Sequence, residues 1–196
     1  MNRTRGLQIA GGVVLLGLLA WGVTIGLERL MQPATELTTE GGTTAGPDAG
    51  VPRITATLYY ATTDGQALVA VKREVPLAEG VVPQGREILA AQLQPAPEGY
   101  VSVVPMGTML RAFYVTERGD AFVDLSPEIA TNHPGGSFTE LLTVYAIVNA
   151  ITANLPTLQR VQILIDGKEA DTLAGHVDLR RPLVQDLALV RPQPVQ

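Results

Sequence analysis

The chain has no cysteine, two histidines, one tryptophan and three phenylalanines in 196 residues. The missing cysteine removes disulfides, thiolate metal sites, thiol nucleophiles and cysteine lipidation together. Basic residues are also scarce: 14 Lys and Arg face 19 Asp and Glu, for a formal net charge of -5. A nucleic-acid binder neutralises phosphates with a basic face, so that class is excluded as a partner. The apolar fraction is nevertheless 46%, enough for a core.

Part of that apolar content is concentrated in one run. Residues 7–27, LQIAGGVVLLGLLAWGVTIGL, carry no charge. As a helix they would span about 31 Å, the thickness of a bilayer's hydrocarbon core. Arg3 and Arg5 precede the run, and Glu28 and Arg29 follow it. The positive-inside rule then places the N-terminus in the cytoplasm and the rest of the chain outside. The run exceeds the apolar core of a cleavable signal peptide, and no small-residue exit motif follows. The expectation is a single-pass anchor over 1–30 in the cell membrane. Residues 31–53, containing QPATELTTEGGTTAGPDAGVPR, are rich in Thr, Gly, Pro and Ala and have no apolar period. They read as a flexible linker.

A domain over 54–190 follows. Alternation in ITATLYYA (54–61) and ALVAVKREV (67–75), with TDG between them, predicts a hairpin. GREILAAQLQ (85–94) predicts a helix. TMLRAFYV (108–115) and AFVDL (121–125), joined through ERGD, predict a second hairpin. Ser137 and Glu140 form an S-x-x-E pattern, which predicts a capping box. The following helix places Leu141, Val144, Tyr145, Val148, Ile151 and Leu155 on one apolar stripe. VQILI (161–165) predicts a central strand, with a short partner around 171–174 after the DGK turn. The expected fold is α+β, in the order β-β-α-β-β-α-β-β, with both helices on one face of a small sheet.

The segments GDAFVDLS, GGSFTELLTVYAIVNAITANLPTLQRVQILIDGK and TLAGHVDLRRPL, in this order and spacing, resemble the GerMN domain of sporulation and spore germination proteins. REILAAQL and VPMGTMLRAFYV extend the likeness across 54–185. The resemblance implies an extracytoplasmic α/β domain tethered by a lipid or a helix and similar to ring-building modules of membrane assemblies. It implies no established enzymatic activity. The chain holds one copy of the domain.

The polar residues that stand out are Ser137, Glu140, Asn149, His176 and Asp178. Ser137, His176 and an aspartate would make a hydrolase triad on paper, but no G-x-S-x-G elbow surrounds the serine, and the cap is the simpler role. A glycine-preceded helix start such as GGS can also hold an anion. His176 and Asp178 would share a face of a strand, yet His133, Asp124, Asp166 and Asp171 complete no metal-ligand spacing. The sequence therefore predicts no catalytic residue, metal or cofactor. His176 is expected to hydrogen-bond Asp178 or backbone. Asn149, a poor helix-interior residue, is expected to bond a neighbouring loop such as GHVD, so that both fix the C-terminal segment; the alternative is an amide that contacts a ligand. Arg180 and Arg181 read as a solvated pair. The functional expectation is a membrane-anchored binding or scaffold module of the cell envelope, self-associating or bound to an envelope protein. The competing reading is a domain that binds a cell-wall or small-molecule ligand.

Overall fold

The computed structural model describes residues 50–192. The apolar run 7–27 lies outside them. Among the described residues no helix is long and apolar enough to cross a membrane.

The chain opens with an antiparallel hairpin, β1 (Arg53–Ala61) and β2 (Leu68–Pro76). Ala56, Leu58 and Tyr60 alternate into the core, as their spacing predicts. Tyr59, on the opposite face, is buried as well, so the last half of β1 is covered on both sides. Helix α1 (Val81–Gln92) follows. It starts four residues earlier than Gly85, the predicted start. Pro83 sits in its first turn, where a missing N–H costs no helical bond. Gly85 is inside the helix because β3 (Leu110–Val115) presses against it: a Cβ there would lie 2.3 Å from Cε1 of Phe113.

β3 pairs antiparallel with β4 (Asp120–Leu125), with a bulge near Leu110. A single-turn helix, α2 (Glu128–Thr131), then precedes the long helix α3 (Ser137–Asn154). α3 returns the chain to β5 (Arg160–Ile165), which runs parallel to β4. β6 (Lys168–Glu169) and β7 (Leu183–Val184) pair antiparallel with opposite ends of β5. Finally β8 (Val190–Arg191) pairs parallel with β2.

The α+β class holds, but the expected single sheet divides into two, ordered β1-β2-β8 and β3-β4-β5-β6 with β7 also on β5. The division explains α3. It touches β1 of one sheet, β5 and β7 of the other, and α1. A helix between two sheets needs more than one apolar face. Accordingly Leu142, Ala146, Ile147 and Ala150 are buried besides the predicted Val144, Val148 and Ile151. One further expectation is corrected. Residues 171–174 form no strand; the antiparallel partners of β5 are β6 and β7. The short helix α2 was not predicted, because four residues offer too little period to read.

Candidate functional site

The site begins at the first turn of α3. The predicted capping box does not form: Gly136, at φ 90°, occupies the N-cap position, and no side chain caps the helix. Glycine takes this left-handed conformation without the Cβ clash that other residues meet. The shift moves Ser137 to the first helical position, exposed to solvent, and frees Glu140 from its own helix.

Glu140 is fully buried. Its carboxylate reaches into the 171–179 loop, which wraps around it. Oε1 accepts the backbone N–H groups of Leu173 (2.9 Å), Ala174 (2.8 Å) and Val177 (3.2 Å). Oε2 accepts the N–H of His176 (2.9 Å) and its ring Nδ1–H (3.0 Å). Burial alone would raise the carboxyl pKa; the backbone donors and the imidazole outweigh it and hold the pKa below the ordinary value of 4.5. Such a nest of N–H groups is an anion site, and here the anion is the protein's own side chain. With both oxygens engaged, Glu140 has no free lone pair directed at a substrate. The His176 side chain is 46% exposed.

Asp178 is not the partner of His176. It accepts from Arg180 through the backbone N–H (3.0 Å), Nε (2.9 Å) and Nη2 (2.8 Å). The guanidinium bonds hold its carboxyl well below the usual range. Both side chains are more than half exposed, so the pair adds little stability. Asn149, buried in α3, bonds a different part of the C-terminal segment than expected. Its Nδ2 donates to Asp186 O (2.8 Å), and its Oδ1 accepts from Asp186 N–H (3.0 Å). The two buried polar groups of α3 thus make separate attachments, one at 173–177 and one at Asp186.

Three other residues do similar work and carried no evident signal in the sequence. Gln92, the last residue of α1, bonds both backbone groups of Tyr59 (2.9 and 2.7 Å). Asn154, the last residue of α3, does the same at Thr57 (2.8 and 2.7 Å). Gln162 on β5 donates to Leu179 O. His133 accepts Gly135 N–H at Nδ1 (3.0 Å), so its neutral ring carries the proton on Nε2, which donates to Thr143 Oγ1 (3.1 Å). Burial lowers the His133 pKa below 6.5, against the opposing charge of Glu140. Thr143 passes the connection on, donating to Val103 O (2.7 Å).

That last bond ties α3 to an apolar groove of about 710 Å³ between the 93–109 loop and the start of α3. Leu93, Val101, Val103, Met106, Met109 and Leu142 line it. Met106 is 89% exposed and Met109 62%. The groove contains none of the five candidate residues named from the sequence. Among the described residues no cluster of three His, Cys, Asp or Glu side chains is placed to hold a metal.

The fold and this internal anchoring define a small α+β domain whose C-terminal segment is pinned through its central helix. The family profile of sporulation and spore germination proteins, Germane, matches residues 57–171. The chain belongs to that family. Among solved structures it is similar to the tandem GerMN domains of the sporulation protein GerM from Bacillus subtilis. The identity is 19% and the TM-score 0.51, over 69% of this chain and 46% of that one. The first GerMN domain of the same protein aligns at 18% identity and TM-score 0.47, over 68% and 96% of the two chains. A candidate lipoprotein from Clostridium perfringens aligns at 27% identity and TM-score 0.49, over 67% and 87%. No curated protein matches.

Proposed function

We propose that this protein is a binding module of a cell-envelope assembly, anchored by residues 1–30 and presenting its domain outside the cytoplasmic membrane, in the sporulation-related setting of its family. The groove beside α3 carries the reading. Its rim exposes two methionines, flexible and polarizable side chains that adapt to apolar partners. Exposed apolar surface of this kind marks contact sites. The candidate polar residues support it from the other side: Glu140 and Asn149 spend their hydrogen-bonding capacity inside the protein, which suits a scaffold better than a reaction centre.

A single small interface must offset the entropy of association, and membrane anchoring raises local concentration as a linker does. The domain expressed without residues 1–49 should therefore be monomeric at micromolar concentration. The full chain in its own membranes should crosslink to itself or to an envelope protein. Full-length protein that stays monomeric with crosslinkers of several lengths would contradict assembly. The groove's volume also falls within the range of small-molecule sites, about 300–1,000 Å³. Co-sedimentation of the domain with isolated cell wall, abolished by Met106→Glu, would favour that second reading.

A further inference from the structure

One wall of the groove beside α3 offers backbone as well as side chains. Along the outer edge of β1, Thr57 and Tyr59 bond the amides of Asn154 and Gln92. Ala61, where β1 ends, exchanges both backbone bonds with Val101 (2.8 and 3.0 Å). Val101 opens a short wall, 101–104, that lines the groove and stops at Pro105. Successive residues beside a strand turn their N–H and C=O groups to opposite sides. Val101 turns its pair to Ala61, and Val103 O accepts from Thr143 Oγ1 (2.7 Å). The alternate residues, Ser102 and Val104, have no partner for N–H or C=O among the described residues. Ser102 is engaged through Oγ alone, which accepts Ala96 N–H (2.7 Å). Val104 is 8% exposed, and backbone groups left unpaired at such burial are costly.

We propose that the groove takes an extended, uncharged strand of a partner protein, which pairs with Ser102 and Val104; this assignment rests on the groove being the contact surface. The pattern of donors and acceptors selects the occupant. One N–H and one C=O, repeated two residues on, is the edge of a sheet. An extended peptide brings the complementary groups at the same spacing. A helix has spent its backbone groups internally, and an acyl chain has none. The electrostatics fit the same occupant. Among the described residues, the lining holds no Asp, Glu, Lys, Arg or His and no aromatic ring. A charged segment would lose its hydration there with nothing to replace it, and a sugar would find no stacking face.

In such a strand, alternate side chains enter the groove. Leu93, Met106, Met109 and Leu142 meet them there, so those positions take apolar residues, and the two methionines adapt to their shape. The positions between them face away and are free to be polar. The wall is also held from behind. Thr143 fixes Val103 O and is itself fixed by the Nε2–H of His133 (3.1 Å). An edge arranged in advance loses less freedom when a strand arrives.

Panning phage-displayed random dodecapeptides against the full chain in lipid nanodiscs tests the proposal, with empty nanodiscs as the control. The enriched peptides should carry apolar, uncharged residues at i, i+2 and i+4. The strongest binder, synthesised with blocked ends, should slow amide exchange at Ser102 and Val104 by about tenfold or more. N-methylation of one alternate set of its amides should weaken binding by about tenfold or more, and N-methylation of the other set should not. Met106→Glu should abolish binding; Met106 is 89% exposed, so the substitution leaves the fold intact. A peptide that is lost in Met106→Glu but tolerates N-methylation of both sets overturns the strand and leaves the groove as the contact surface. Binding that survives Met106→Glu overturns both. No enrichment over empty nanodiscs, or apolar residues at the helical spacing i, i+3 and i+4, also overturns the strand.

Discussion

Glu140 is the residue on which the C-terminal segment depends. Replacing it with glutamine keeps the size but turns an amide N–H₂ toward donors that need an acceptor. Glu140→Gln should destabilise the domain by about 3–5 kcal/mol, the cost of breaking a buried charged cluster. His176→Ala removes one ring contact and leaves the backbone donors, so a loss of about 1 kcal/mol is expected. Urea unfolding of both variants measures the contrast. A His176→Ala protein that unfolds at the wild-type midpoint yet loses function in cells would turn the exposed imidazole into a working site. The pH dependence has a definite sign. Glu140's folded pKa lies below 4.5, so its stabilisation is complete above that value and is lost as pH falls through the folded pKa. His133's folded pKa is also depressed, below 6.5. Protonation there favours the unfolded chain, and its contribution fades as pH falls below that value. Unfolding midpoints from pH 7 to pH 3 should decline in both windows, and Glu140→Gln should flatten the lower one.

At the scale of elements, the hairpins, the main helices and β5 were legible because their periods are long and clean. Gly85 misled the start of α1: glycine usually marks a helix boundary, and only the Phe113 ring from a distant strand explains its interior position. Gly85→Ala should drive a methyl group into that ring and destabilise the domain by about 1–3 kcal/mol, measurable as a lower thermal midpoint. The capping pattern failed through a one-residue shift. Gly136 took the cap, and Glu140 found five donors more than thirty residues away, which no local pattern encodes. Asn149 was identifiable as an anomaly, but its partner Asp186 was not, since the anomaly names a need and not a location. Gln92 and Asn154 were missed because polar residues at helix ends are ordinary.

For the whole molecule, one sheet was expected and two were found. Sequence order shows hairpins but not which hairpins join, and the evidence for α3 as a central helix lay in its excess of apolar residues beyond one stripe. The topology expectation rests on Leu7–Leu27 and its basic flank. Protease added to spheroplasts should digest residues 54–190, and the mature protein should retain its first residues. A mature N-terminus beyond residue 20 would contradict the anchor.

The central claim is that the groove is the contact surface. A photo-crosslinking residue placed at Met106 in the full chain, in its native membranes, tests it most directly. The same residue at Val184, 58% exposed on β7, is the control. The account predicts a discrete high-mass adduct from position 106, weak or absent from position 184, and lost when Met109→Glu is added. Equal labelling from both positions, or only monomer from position 106, would contradict it.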